Sequence, residues 1–196
     1  MTGPFLWYAN RGTGVVLLVL LTMTTLLGVL STHGDAGGRV PRFLTQAMHR
    51  SLSLTCVALL LAHVATAVVD EYVDIRWWQV VVPVGATYRP LWLGLGTVAF
   101  DLVLVVVVTS LLRSRLPHRA WRPLHLSAYA CWMLAVAHGL GIGTDVTSTW
   151  ARTTGQVCVG AVSFAAGLRL VELGVTRARR SRTSSPEPPL VTEAGR

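Results

Sequence analysis

Two stretches of this chain decide its fold. Residues 47–69 read AMHRSLSLTCVALLLAHVATAVV, and residues 124–142 read LHLSAYACWMLAVAHGLGI. Each has about the ~20 mainly apolar residues that a helix needs to cross the hydrocarbon of a bilayer. Each also carries two histidines, which are costly at membrane depth and mark functional candidates there. The two stretches therefore predict membrane-spanning helices with histidines in their interior.

Three further apolar stretches qualify as spanning helices, at residues 13–30, 91–112 and 153–173. A sixth patch, residues 80–85, is too short to span, contains Pro83 and is surrounded by tryptophans that prefer the headgroup level. We expect it to lie along the interface or to re-enter shallowly. The sequence thus predicts an all-α fold, a polytopic membrane helical bundle with about five transmembrane helices.

The composition agrees with lipid as the main solvent. Of the 196 residues, 52% are hydrophobic and 13% are charged, whereas a soluble domain carries about 25% charged residues. The 17 basic residues are all arginine and face 9 acids, which gives a net charge of +8. They lie between apolar runs, as membrane orientation requires, so we expect the lipid bilayer and no nucleic acid as partner. The three cysteines form no CxxC pair, and neither a disulfide framework nor a zinc site is indicated.

The arginines also predict the orientation. Ten of them follow the first, third and fifth helices, where few acids oppose them: Arg39, Arg42, Arg113, Arg115, Arg119, Arg122, Arg177, Arg179, Arg180 and Arg182. Cytoplasmic loops carry the basic excess, so we expect the N-terminus outside and the C-terminus inside a bacterial-type plasma membrane. Residues 176–196 are expected to form a disordered cytoplasmic tail.

The histidine spacing suggests two sites at different depths. His49 and His63 are 63 − 49 = 14 residues apart, and His125 and His138 are 138 − 125 = 13 apart. On the predicted orientation both helices run from inside to outside. At 1.5 Å per residue, each pair is separated by ~20 Å along the membrane normal. Each level then holds one histidine from each helix.

Imidazole is a good axial ligand for haem iron, and two imidazoles favour electron transfer over oxygen binding. Polar packing between helices is the structural alternative, and a zinc or copper cluster would require ligands that converge. The second spacing is not ideal, because 13 residues leave two side chains ~140° apart around a helix, against ~40° for 14. His125 and His138 therefore need a local distortion, different rotamers, or ligands approached from different sides.

Four other residues are candidates. Arg50, beside His49, could pair with a haem propionate or extend to the headgroups. Asp101, a lone carboxylate in the third helix, could form a structural hydrogen bond or serve a proton or acceptor role. Cys56 and Cys131 lie midway between the two levels and suit packing there. His33 and His118 fall in loops, where we expect them to be solvated.

The chain resembles the ferric reductase-like transmembrane domain. The specific part is His-x13-His on one helix and His-x12-His on a later parallel helix. The resemblance extends from about residue 5 to residue 175 and includes these motifs: Trp7-Tyr8, Arg11-Gly12-Thr13-Gly14, Met48-His49-Arg50, the run from Tyr88 to Gly94, the run from Thr109 to Arg113, and the run from Trp121 to His125.

The resemblance implies two haem b groups, an inner one held by His49 and His125 and an outer one held by His63 and His138. Its members include ferric reductases, NADPH oxidases and the haem subunit of the methionine sulfoxide reductase repair system. This sequence departs from the larger enzymes in having five helices rather than six, and we expect no flavin or NAD(P)H domain. The electron donor would then be a separate cytoplasmic flavoprotein, a flavin or a quinol. We assign no catalytic residue.

Three functional classes stay open at this point. The first is a transmembrane conduit that passes electrons from a cytoplasmic donor to an acceptor outside, such as a ferric chelate, oxygen, a quinone or a periplasmic protein. The second is a haem-free membrane scaffold derived from the same domain. The third is a quinol-linked membrane cytochrome. Whether the chain itself is the membrane component of an oxidoreductase depends on this choice.

Overall fold

The computed structural model describes the backbone of residues 3–31, 41–70 and 73–183, and the side chains of residues 5–30, 41–70 and 73–177. Within this part of the chain the regular structure is entirely helical. The five α-helices are α1 (Gly3–Ser31), α2 (Arg42–Val69), α3 (Pro90–Leu111), α4 (His118–Ile142) and α5 (Thr149–Thr183). The all-α prediction is confirmed for these residues.

Four of the helices are long and apolar enough to cross a membrane: α1 over Phe5–Leu30, α2 over Arg42–Val69, α3 over Pro90–Leu111 and α5 over Thr149–Arg177. These four are compatible with a multi-pass membrane protein. The fourth predicted helix forms as α4, which is not among these four. Its crossing of the membrane is therefore part of the proposal made below.

The helix ends differ from the sequence prediction mainly by extension. α1 begins at Gly3, ten residues before the predicted span. α5 continues to Thr183, so residues 176–183 are helical although the sequence predicted a disordered tail from residue 176 onward. Alanine and arginine in this segment are good helix formers. The remainder of the predicted tail, residues 184–196, lies outside the described residues, as does His33.

Two antiparallel hairpins organise the bundle. α1 packs along α2, and α3 packs along α4, while α1 also contacts α4 and α5. The hairpins are joined across α1 and α4 by a buried hydrogen bond from the Trp132 indole Nε1–H to the Thr22 hydroxyl, at 3.0 Å. This bond fixes the depth of one hairpin relative to the other.

The predicted interfacial patch, residues 80–85, begins at the last residue of a short 3-10 helix, Trp77–Val80, and continues through turns and bends that lead into α3. Gln79 is buried and its side chain donates to the Gly85 carbonyl at 2.8 Å, while its own carbonyl accepts from Thr97 on α3. The segment is thus fastened to the start of α3.

Few large side chains are buried in the described chain. The core holds Val29, Trp132 and Val162 together with the three free cysteines and Ala99. Large apolar side chains instead point outward, with Phe164 and Leu170 on α5 69% and 70% exposed. Apolar faces of this extent are typical of helices that lie against lipid or a partner rather than water.

Candidate functional site

The four histidines of α2 and α4 line one large cavity between the hairpins. Its volume is about 2080 Å³, whereas a pocket for one drug-sized ligand has about 300–1,000 Å³. Apolar residues such as Leu60, Phe100, Val103 and Val136 form most of its wall. The cavity therefore has the size for more than one large, mainly apolar ligand.

The histidines meet in two pairs, which we call rungs. In the first rung, the rings of His49 and His125 lie with their centroids 6.2 Å apart and their planes at 64°. In the second rung, His63 and His138 line the same cavity. Each rung takes one ring from α2 and one from α4. His125 and His138 line the same cavity, although an ideal helix would place their side chains ~140° apart around its axis. Rotation about the χ angles of each side chain allows this.

Each of the four rings is held at its Nδ1 atom. Three of them lie near backbone carbonyl oxygens: His49 near Thr24 at 3.1 Å, His63 near Asn10 at 3.0 Å and His138 near Trp92 at 2.8 Å. The fourth, His125, lies 3.3 Å from the Ser110 hydroxyl. A carbonyl can only accept, so at three positions Nδ1 carries the proton and Nε2 keeps its lone pair. Nε2 makes no hydrogen bond with any described residue in these four rings.

Small residues on the neighbouring helices let the rings approach closely. A Cβ added to Gly14 would lie 3.1 Å from Cε1 of His63, and one added to Gly28 would lie 3.6 Å from Cε1 of His49. On α3, Gly96 faces His138 in the same way, and Ser110 faces His125. Each histidine of the rungs thus packs against a small residue of its hairpin partner.

This pairing has a simple sequence signature. Residues that face each other in an antiparallel hairpin have a nearly constant sum of residue numbers. In the first hairpin, 14 + 63 = 77 and 28 + 49 = 77; in the second, 96 + 138 = 234 and 110 + 125 = 235. The two sums in the second hairpin differ by one because His125 and His138 are 13 residues apart on α4, whereas Gly96 and Ser110 are 14 apart on α3. Sequence reasoning identified the histidines but not these four small residues.

Polar contacts close the second-rung end of the cavity. The Asn10 amide donates to the His63 carbonyl at 2.8 Å and to the Thr66 hydroxyl at 3.2 Å, which ties α1 to α2 there. Arg11 forms an ion pair with Asp145, which follows α4. Arg89, just before α3, donates to the Gly141 carbonyl near the end of α4. These contacts join both hairpins at the same end.

The remaining candidates have different positions. Arg50 is exposed and lines the cavity beside His49, whereas Asp101 is partly exposed on α3 and does not belong to the cavity wall. Cys56 and Cys131 are buried and line the cavity. His118 is the exposed first residue of α4.

The four histidines form two pairs rather than one cluster of metal ligands. Within the described ranges, no group of three or more His, Cys, Asp or Glu side chains is placed to hold a metal ion. A rung can offer two imidazole nitrogens to one ion, and further ligands would have to come from a cofactor.

Comparison with known proteins gives a family without an assigned activity. No curated protein and no solved structure is significantly similar to the chain. One family of sequences, described as Domain of unknown function (DUF8596), matches residues 5–145. The matched stretch covers α1 to α4 and therefore all four histidines of the two rungs. The chain belongs to the family described as Domain of unknown function (DUF8596).

Proposed function

We propose that this protein carries electrons across a membrane through two b-type haems, one held by His49 and His125 and the other by His63 and His138. The observation that carries the proposal is the hydrogen-bonding arrangement that the four imidazoles share. Each is bonded at Nδ1 and lines a cavity, and none has a partner at Nε2 among the described residues. Metal-binding histidines are oriented in this way, with the second ring nitrogen bonded to a carbonyl or another polar group.

The distance within the first rung fits an iron between the rings. An imidazole nitrogen binds a transition metal at about 2.0–2.1 Å and lies about 1.1 Å from its ring centre, so two rings across one ion have centres about 6.2–6.4 Å apart. The rings of His49 and His125 are 6.2 Å apart. A hydrogen-bonded histidine pair would have the two nitrogens directly bonded, at about 2.9 Å, and the rings correspondingly closer.

The cavity fits a macrocycle rather than a bare ion. Its apolar walls and its volume of about 2080 Å³ suit flat hydrophobic groups, and Arg50 lies at its edge, where a propionate could be paired. Bound haem would supply a one-electron centre at each rung. The four imidazoles would hold the two groups, the apolar walls would exclude water, and the 14-residue spacing on α2 would place the two centres ~20 Å apart along the helix.

The direction of transfer in this proposal follows from the arginines. With the N-terminus outside and the C-terminus inside, all five helices span the membrane and the first rung lies near the cytoplasm. A separate cytoplasmic donor, either a flavoprotein, a flavin or a quinol, would reduce the first rung. An acceptor on the outer side would take electrons from the second rung. Ferric reductase-like chemistry is our expectation for that outer step.

An absorption spectrum of the purified full-length chain tests this function. We expect a low-spin bis-imidazole spectrum that dithionite reduces, with reduced intensity in His49→Ala. The matched control is His118→Ala, since this histidine lies on the same helix as His125 but outside both rungs. A wild-type chain purified from haem-replete cells without a haem spectrum would exclude the proposal in favour of a scaffold.

A further inference from the structure

One histidine of the first rung sits in a three-layer stack. The indole of Trp121 lies against the ring of His125, with centroids 4.7 Å apart and planes at 21°. On the indole rests the guanidinium of Arg113, with Cζ 4.7 Å from the ring centroid. All three side chains line the cavity. The stack therefore links a positive charge to a proposed axial ligand.

Local sequence explains how the stack forms. Trp121 precedes His125 by four residues on α4, which places the two side chains on one face of the helix. Arg113 comes from the short turn after α3, where its backbone N–H bonds to the Ser110 carbonyl at 3.4 Å. Ser110 also contacts His125 through its hydroxyl. The guanidinium of this arrangement thus comes from the α3–α4 turn, the hydroxyl from the end of α3 and the indole from α4.

Among the residues that the structure describes, the other three imidazoles have no such neighbour. In the part of the chain that the structure describes, no aromatic ring stacks in parallel on His49, His63 or His138, and the contact of His49 with His125 is edge-on. These three rings also bond to carbonyls, whereas His125 lies near a hydroxyl, which can donate or accept.

From this geometry we infer that Trp121 is a positioning residue for His125. We also infer that the charge of Arg113 raises the reduction potential of the haem held by the first rung above its value in a variant without that charge. The inference rests on the proposed haem function. Stacking fixes the plane of the imidazole, and a guanidinium on an indole face is a favourable cation–π contact. A positive charge stabilises the reduced form of a nearby iron, and solvent weakens this effect for Arg113 because its side chain is exposed.

Arg113 is well placed for this electrostatic effect. It forms no ion pair with any described residue, and its guanidinium lies on the indole that stacks on His125. The identity of the axial ligand, its hydrogen bonds and its burial all tune the potential of a bound haem. Among the described residues no indole stacks on the second rung, and Arg11 at its end of the cavity is paired with Asp145, so this rung serves as an internal reference in the same molecule.

Redox titration of the full-length haem protein tests the charge effect. Arg113→Gln should lower the midpoint of one of the two titration steps and leave the other unchanged, while Arg113→Lys should keep both near wild type. Arg115→Gln is the matched control, because this arginine lies in the same turn but not on the indole. Equal shifts of both steps, or none in Arg113→Gln with both haems retained, would overturn the electrostatic part.

Low-spin electron paramagnetic resonance tests the positioning effect. Trp121→Leu should move or broaden the signal of one haem only, and Trp121→Phe should restore it because a phenyl ring can stack. If Trp121→Leu leaves both signals as in wild type, Trp121 does not orient His125. A wild-type chain that binds no haem would instead refute the proposed function itself, which distinguishes the two failures.

Discussion

A methyl group on Gly96 would lie 2.5 Å from both Cε1 and Nδ1 of His138, so α3 has no room for a side chain where this imidazole crosses it. The same ring lies 2.8 Å from the Trp92 carbonyl one turn earlier on α3. The position of His138 is therefore fixed from two sides by one helix. Its partner in the second rung, His63, is fixed in a similar way by Asn10 and Gly14 of α1.

A glycine series tests whether these close approaches matter to the rungs. We expect Gly96→Ala to displace His138 and to lower haem occupancy of the second rung, since a Cβ at this distance forces the ring to move. Gly28→Ala should have little effect, because its Cβ would make an ordinary contact at 3.6 Å with His49. Haem content per chain measures both.

Gly139 provides the matched control for the series. It lines the cavity and lies next to His138, but a Cβ there would meet nothing within 4 Å. Gly139→Ala should keep wild-type haem content. A loss equal to that of Gly96→Ala would mean that replacing a cavity glycine, rather than closing the space for the imidazole, lowers occupancy.

The bond between the hairpins should contribute modestly to stability. We expect Trp132→Phe to destabilise the protein more than Thr22→Val, because both remove the same buried hydrogen bond and the first also leaves a cavity in the core. The coupling energy should be about 0.6 kcal/mol, the average for hydrogen bonds between membrane helices. A double-mutant cycle of unfolding in detergent micelles measures it, and additive effects of the two substitutions would show that the bond contributes nothing.

The proposed orientation places the two hairpin ends on opposite sides of the membrane. A cysteine introduced as Thr144→Cys, after α4, should react with an impermeant thiol reagent from outside intact cells. The matched variant Ser114→Cys, in the α3–α4 turn, should react only after permeabilisation. Both positions are exposed, and the three native cysteines are buried. The reverse labelling pattern would invert the direction of electron flow.

Electrostatic steering of an anionic donor is expected at the first-rung end. Arg115 and Arg119 are exposed in and after the α3–α4 turn, close to the side from which the donor would approach. Reduction by a flavin reductase should slow as salt is added, since the Debye length is ~10 Å at 0.1 M. Arg115→Gln combined with Arg119→Gln should slow it further at low salt. An unchanged rate in stopped-flow measurements would assign these arginines to lipid and topology instead.

The sequence was sufficient to predict the helices and to select the histidines, because apolar length and costly polar residues are both local signals. The segment before α3 was harder to predict. Its 3-10 helix is held by Gln79, which is buried through bonds to Gly85 and Thr97, and a buried glutamine has no distinct sequence pattern. The end of α5 was missed since its arginines suggested solvation rather than helix.

The partners of the histidines could have been found in part. Gly14 and Gly28 repeat at the spacing of His49 and His63, and this common interval of 14 residues is visible in the sequence. The carbonyl partners could not have been found, because backbone oxygens of Asn10, Thr24 and Trp92 leave no trace in residue identity. The stack on His125 depends on the turn geometry that brings Arg113 onto Trp121, which spacing alone does not specify.

The ratio of haem to protein in the purified chain tests the central claim most directly. We predict close to two b-type haems per wild-type chain and close to one in His63→Ala or His138→Ala, with the spectrum of the first rung retained, because the rungs lie ~20 Å apart along α2. A wild-type ratio near zero or near one would contradict the account. So would the loss of both haems in a second-rung variant that still folds with the wild-type helix content.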